Sequence, residues 1–310
     1  MSSVSRGRFP VSFWIGSVIV FVLVMVALLG PSMAPYGVKD QVKVHSTVVD
    51  GKDVIVSPPL PPSAEHLLGT DKWGYDLLTL LLYGARYTLF TTAIIALLRV
   101  VLGTIIGLYI GMAERRQNWW ISIENAWSYM PVILPVYFLL VRVNINSPLS
   151  ETELTLFFIA VVTILGIPSA VSSVRQKTEQ IKEMPFVTAA ESLGAGREHI
   201  IVRHVFPQLK EQLMIVFVME IITVMSLMGQ LGIFNLFVGG TLQTFSPDLY
   251  HSMTHEWAGL IGQSRGFIQY KVWVFFAPLT AFIIAVAGFT LMSKGLQARY
   301  QMTYERKPFV

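Results

Sequence analysis

Long apolar stretches separated by short polar punctuation dominate the chain. Six of them, at 11–30, 87–112, 119–141, 154–174, 212–238 and 271–293, reach the roughly 20 residues that a helix needs to cross about 30 Å of hydrocarbon. Backbone polar groups in lipid must be satisfied within the segment, so each stretch predicts a helix rather than a strand. The pattern therefore predicts an all-α, polytopic membrane protein with six transmembrane helices. Pro131 and Pro135 interrupt the third stretch and Pro278 the sixth, where a missing N–H predicts kinks. In the second, Gly103, Gly107 and Gly111 recur every four residues, so one face lets a neighbouring helix approach closely.

Composition agrees with this pattern and narrows the chemistry. Hydrophobic residues make up 53% of the chain and charged residues only 14%, against about a quarter charged in a typical soluble domain. With no cysteine, disulfides and thiolate metal or redox sites are excluded. The net charge of +4 is spread in a way that suits membrane topology, not a nucleic-acid surface. With both termini inside, the cytoplasmic segments hold Arg6, Arg8, Arg115, Arg116, Arg175, Lys177, Lys182, Arg197, Arg203, Lys210, Lys294, Arg299, Arg306 and Lys307. The external segments hold Lys39, Lys43, Lys52, Lys72, Arg86, Arg142, Arg265 and Lys271. That bias predicts cytoplasmic termini. The first stretch follows Arg6 and Arg8 as a signal peptide would, but its length and the lack of an A-x-A site predict a retained anchor.

Three connections are long enough to carry function: 31–86 and 239–270 outside, and 175–211 inside. The chain is accordingly expected to divide into an anchor helix with external loop, 1–86, and a five-helix core, 87–310, containing the inner loop. Within that loop Pro185 can open a short helix and Gly194 can close it in a left-handed cap. So short a helix is marginal alone and calls for a docking partner; a solvated connector is the plain alternative.

The residues of this loop resemble a known motif. Thr188-Ala189-Ala190-Glu191-Ser192-Leu193-Gly194-Ala195, followed by Arg203-His204-Val205-Phe206-Pro207, is similar to the loop of binding-protein-dependent ABC importers: E-A-A, three residues, Gly, then nine residues before a segment ending in Leu-Pro. Thr188 stands where that family has glutamate, and Phe206 where it has leucine. The resemblance implies a type I ABC importer permease fold, with Thr188, Ala189, Ala190, Glu191, Leu193, Gly194, Ala195 and Pro207 coupling the chain to an ATPase. A second run, His66-Leu67-Leu68-Gly69-Thr70-Asp71-Lys72-Trp73-Gly74-Tyr75-Asp76 followed by Tyr83-Gly84-Ala85-Arg86, is similar to the C-type permease subunit of oligopeptide, dipeptide and nickel importers. Glu256-Trp257-Ala258-Gly259 is a looser match, and 118–153 matches poorly.

The family so resembled implies a bacterial cytoplasmic-membrane permease for di- or oligopeptides, with nickel or metal-chelate uptake as the alternative substrate. Its implied partners are a homologous second permease, two cytoplasmic ABC ATPases, an external solute-binding protein and membrane lipid. ATP and magnesium belong on the ATPases: this chain lacks G-x-x-x-x-G-K-[ST], and G-x-S-x-G and H-E-x-x-H are also missing, so no catalytic role is expected.

Individual polar residues leave choices open. Arg99 and Glu220 lie at similar depth in the second and fifth stretches, where charge normally faces a bundle interior or water. They can pair with each other, touch a charged solute, or snorkel or pair across a subunit interface. As a proton or ion relay they would suit a secondary transporter, yet no inverted repeat is visible in the sequence. Glu124 reads as interfacial. His251, His255 and Glu256 have an i, i+4 helical spacing that makes a weak metal motif, with a receptor surface as the other use.

Overall fold

The computed structural model describes residues 9–49, 52–113, 118–245 and 248–305. Arg6, Arg8, Arg115, Arg116, Arg306 and Lys307 from the charge pattern lie outside these. In chain order the helices are α1 (Val11–Met33), α2 (Leu77–Gly111), α3 (Asn118–Tyr129), α4 (Ile133–Asn144), α5 (Glu151–Lys182), α6 (Pro185–Ser192), α7 (Arg197–Ile200), α8 (Phe206–Ile233), α9 (Trp257–Ser264) and α10 (Val272–Glu305). Among the described residues five helical stretches are long and apolar enough to cross a membrane: α1, α2, α5, α7 continuing into α8, and α10.

The expected third span is not one helix. Its chain forms α3 and α4, each of 12 residues, with a break at Met130, Pro131 and Val132. Pro131 cannot supply the N–H that would continue α3. Pro135 falls in the first turn of α4, where a missing N–H costs nothing. The second departure lies in the connections 31–86 and 239–270, which the all-α expectation left without strands. β1 (His45–Val49) pairs antiparallel with β2 (Lys52–Val56), His45 facing Val56, and β3 (Thr241–Phe245) pairs with β4 (Asp248–Ser252), Thr241 facing Ser252. Neither hairpin shows a clean period-2 alternation, and strands of five residues are too short to stand out beside the spans.

Local chemistry fixes the helix ends. Asp76 caps α2, accepting from Thr79 N at 2.8 Å, so α2 begins ten residues before the run expected from 87. Ser150 and Glu153 form a reciprocal capping box on α5. Between α7 and α8 the chain makes a π-helical turn, Ile201–Val205, closed by Phe206 N donating to Ile201 O. Pro207 accounts for it: in a regular helix its ring would meet the Arg203 carbonyl, and the wider turn relieves that conflict.

The bundle has two ends. At one lie α6, the C-terminal ends of α2 and α5, and the start of α8, sharing a cluster of Leu108, Val174, Ile181, Val187, Ile200 and Leu209. Gly295 against Phe13 and Gly16 against Met292 bring the start of α1 and the later part of α10 toward this same end. At the other lie the hairpins, α9 and the start of α10. Because α2 and α5 both finish at the α6 end, the chain must return between them. It does so through α3, alongside the later half of α5, and α4, whose Asn144 Nδ2 donates to Phe237 O at 2.7 Å. Many large apolar side chains face outward, among them Phe21, Phe138, Leu156 and Ile164, as a bilayer-facing surface permits.

α2 is the central element, and its glycine stripe packs on α5. A Cβ at Gly103, Gly107 or Gly111 would come within 2.7 Å of Ala170 Cβ, 2.8 Å of Val174 Cβ and 2.7 Å of Thr178 Cβ respectively. These partners also repeat every four residues, so two stripes meet in register. Replacing Gly107 by leucine is expected to destabilise the chain by about 1–3 kcal/mol through overpacking, read as a lower apparent Tm in detergent.

Candidate functional site

The surface around α6 is built from a short helix half sunk into the end of the bundle. Val187 is fully buried, while Ala190 and Ala195 are partly buried against the same cluster. Phe186, Thr188, Ala189, Glu191, Leu193 and Gly194 point outward, Leu193 with 88% of its surface exposed. Gly194 has φ 81°; its N–H donates to Glu191 O at 2.9 Å, and Ala195 N donates to Ala190 O at 3.0 Å. This is the two-bond left-handed cap that a glycine at C′ permits. Pro207, exposed, lies apart at the start of α8 and acts on the loop through the π-turn. Three further bonds tie the loop to the spans. Arg197 donates to Tyr109 O, Tyr109 Oη donates to Glu198 at 3.1 Å, and Lys182 Nζ donates to Ala113 O at 3.1 Å.

Deeper in the bundle, Arg99 and Glu220 meet. Arg99 Nη1 donates to Glu220 Oε2 at 2.8 Å and Nη2 to Val162 O at 2.7 Å, with both residues buried. The guanidinium crosses α5 at Gly166, where a Cβ would collide with it. Ser169 Oγ donates to the other Glu220 oxygen at 3.1 Å. Charge, geometry and depth together make this an intramembrane ion pair joining α2, α5 and α8. Glu124 is not simply interfacial. It accepts from Arg175 Nε at 3.2 Å and from Ser172 Oγ, and Arg175 also reaches Glu179 at 2.7 Å. Sequence reasoning missed this cluster because Arg175 counted only as a loop charge.

At the hairpin end the His66–Asp76 run proves to be a folding device. Gly69 and Gly74 both have positive φ, Asp71 Oδ1 accepts from Trp73 N and Tyr75 N, and His66 Nδ1 lies 3.0 Å from Asp76 Oδ1. Lys72 Nζ reaches Gln263 O at 3.1 Å, and Lys271 Nζ reaches Pro59 O at 2.8 Å, so the two hairpin-bearing connections are fastened together. Glu256 caps α9, and Trp257 Nε1 donates to Leu81 O at 2.9 Å. His251 and His255 are not on one helix: the first is on β4 and the second sits in a turn with φ 54°. Their rings pack on Trp73 and Tyr75. Among the described residues no group of three or more metal-ligating side chains is assembled.

Comparison with known proteins decides the family. Residues 99–302, well over half of the chain, match the family described as binding-protein-dependent transport system inner membrane component. The chain belongs to this family. Three relatives extend the similarity beyond the matched core. The dipeptide transport system permease protein DppC of Alkalihalophilus pseudofirmus is 28% identical over 76% of this chain and 71% of its own length. Its counterpart of the same name in Haemophilus influenzae is 26% identical over 91% and 88%. The di/tripeptide transport system permease protein DppC of Pseudomonas aeruginosa is 25% identical over 91% and 85%. As an inner membrane component with five apolar spans, this binding-protein-dependent permease is a multi-pass protein of the cytoplasmic membrane.

Two predictions follow from these groups. Removing one partner of the Arg99–Glu220 pair strands the other: Glu220→Met is expected to cost about 3–5 kcal/mol, whereas Arg99→Met with Glu220→Met restores much of it; thermal unfolding of the three variants in detergent measures both. At the hairpin end, burial raises Glu256 and Asp71 from the ordinary carboxylate range to about 7. A raised folded-state value stabilises below the unfolded one and loses that contribution as pH climbs through the folded one. Wild-type stability relative to Glu256→Gln is therefore expected to fall between about pH 4 and 7, whereas His251 and His255, lowered by burial to about 3 and 4, act in the opposite sense below about pH 6.5. Melting curves of both proteins across that range report the difference.

Proposed function

We propose that this chain is the transmembrane permease subunit of an ATP-driven importer that takes up di- or oligopeptides across the bacterial cytoplasmic membrane. In this reading it pairs with a homologous second permease to enclose one pathway, two cytoplasmic ABC ATPases dock on the inner loops of the pair, here at the α6 end, and an external binding protein delivers solute at the hairpin end. The single observation that carries it is α6: a short helix with an outward apolar edge, Phe186, Ala189 and Leu193, on a loop bonded to α2. Such a helix needs a partner to cover it, and movement of that partner is transmitted to the spans. The peptide class rests on relatives named as dipeptide and di/tripeptide permeases over most of their length.

The same reading makes α3 and α4 together a sixth crossing and puts both chain ends in the cytoplasm, supported by the return path between α2 and α5 and by the lysine and arginine bias. ATP binding would close the ATPases, shift α6 and tilt the spans, so that nucleotide biases a bundle with two arrangements. ATP and magnesium would sit on the ATPase chains. Neither rival gains support from the site. The Glu220 carboxylate is held by Arg99 and Ser169 and is not free to relay protons, and two histidines packed on aromatic rings offer little to nickel.

The test is affinity purification of the tagged chain with its co-expressed partners, followed by ATPase and peptide-uptake assays. Recovery of a second permease and ATPases with ATP-dependent peptide uptake is expected. A lone chain without ATPase activity would overturn the importer assignment. Within that complex Gly194→Val is expected to cut uptake at least about tenfold with assembly intact, since a β-branched residue at this φ costs roughly 1–2 kcal/mol although no neighbour lies within 4 Å of the added Cβ. Gly194→Asn, which tolerates the left-handed conformation, should retain most uptake.

A further inference from the structure

A cavity of about 320 Å3 opens between α3 and α5, with Glu124, Asn125, Ser169, Ser172 and Gln176 beside the apolar Trp127 and Pro168 in its lining. The volume is at the low end of the roughly 300–1,000 Å3 typical of small-molecule sites. We propose that this cavity is a solute subsite on the translocation pathway that takes the N-terminal ammonium of a short peptide, with Glu124 as its acceptor. The proposal rests on the peptide-importer reading and adds a location and a chemical class to it.

Three observations converge on the site. α5 exposes two different faces along its length. Leu156, Phe157 and Ile164 form an apolar one, whereas Ser169, Ser173 and Gln176, with Ser172 between them, recur at i, i+3, i+4 and i+7 on the opposite side. The stripe runs from Ser169, beside the buried Glu220, to Gln176 at the α6-side edge of the span; where it lies at membrane depth it faces water or protein, not lipid. Charge is the second observation. Arg175 is shared by two carboxylates, Glu124 at 3.2 Å and Glu179 at 2.7 Å, so the three together hold one net negative charge beside the cavity. Glu220, bonded to Ser169 on the same side, is already neutralised by Arg99. The third is donor–acceptor matching. An ammonium offers three N–H donors, and the lining supplies the Glu124 carboxylate, serine hydroxyls and the Gln176 amide oxygen as acceptors. A free carboxylate solute group would meet the opposite field.

Because the chain has no cysteine, single thiols report the site directly. Gln176→Cys and Asn125→Cys would be placed in the fully assembled transporter in proteoliposomes, with the lipid-facing Ile164→Cys as reference, and labelling scored on this chain alone. The probes are the cationic trimethylammonium-ethyl and the anionic sulfonatoethyl methanethiosulfonates, each rate divided by that on a free thiol. Thiols at 176 and 125 are expected to react, with the cationic probe favoured about tenfold, while 164 does not. The preference should collapse toward unity in the Glu124→Gln background with labelling retained, and Glu124→Asp should restore it. A dipeptide with a free amine should slow labelling at 176 several-fold, and its N-acetylated form should not. Failure of 176 and 125 to label, a charge preference that survives Glu124→Gln, or equal protection by both peptide forms would overturn the site. Dipeptide uptake by the wild type, measured on the same vesicles, reads the importer assignment separately: uptake without charge-selective labelling refutes the subsite alone, and selective labelling without uptake refutes the peptide assignment alone.

Discussion

Arg99 sits where α2, α5 and α8 meet, and the terms on which a guanidinium can be buried there set the packing of all three. It needs an opposite charge, which Glu220 supplies from α8, and a further acceptor, which Val162 O supplies from α5. It also needs room to pass, and Gly166 leaves it. Such a pair adds little net stability, because desolvation offsets most of the attraction. What it adds is register: a slide of any one helix by a turn would strand a charge in hydrocarbon. Ser169 extends the arrangement by bonding the remaining Glu220 oxygen, so the same knot that aligns the helices also borders the polar face of α5.

From that knot α2 carries the arrangement to both ends. It runs 35 residues, about 50 Å at 1.5 Å per residue, and is fastened along the way rather than only at its tips. Toward α6 its glycine stripe lies against Ala170, Val174 and Thr178, and its last turns receive Arg197, Glu198 and Lys182 from the α6 connections. Toward the hairpins it is capped by Asp76, and Trp257 of α9 bonds to both Leu81 O and Thr88 Oγ1. A displacement of α6 therefore has few soft joints in which to dissipate. Its own cap at Gly194 is closed by two backbone bonds, and the π-turn before α8 is the nearest irregularity where the chain can adjust.

What could be read from the sequence tracks what is long and periodic. The continuous spans, the glycine stripe and the short helix ending at Gly194 all announce themselves through apolar runs, four-residue spacing or cap residues, which act locally. The break at Pro131 was visible as a proline but not as a division into two helices, since proline inside a membrane helix kinks as often as it ends one. The hairpins carry only five residues per strand. The residues from His66 to Asp76 were recognisable as a motif by resemblance alone; that Asp71 and Asp76 organise a turn and a helix cap depends on positive φ at Gly69 and Gly74, which spacing does not disclose. Partners separated by more than 50 positions, such as Glu124 with Arg175 or Arg99 with Glu220, are set by tertiary packing. The first pair was missed and the second stood among several alternatives. The i, i+4 spacing of His251 and His255 carried only a weak metal signal, and it does not fall on a helix, because the chain there is a strand followed by a residue at φ 54°.

The broken segment and the polar stripe bear on one another. Interrupting a helix at membrane depth exposes backbone groups that lipid cannot satisfy. Here the interruption limits its own demand: Pro131 and Pro135 have no N–H to satisfy, Met130 N donates to Trp127 O at 3.1 Å, and Leu134 N donates to Pro131 O at 3.0 Å. It also lies next to the later half of α5, where Trp127 Nε1 donates to Leu165 O at 3.1 Å, one turn from Ser169. The side of the bundle that tolerates irregular backbone is thus also the side where Glu124, Ser169, Ser172 and Gln176 gather, while α1 presents Phe21 and Leu28 outward. Polar groups and irregular backbone brought together in this way make a surface that lipid alone does not satisfy, since the hydroxyl, amide and carboxylate groups there need water or protein as partners.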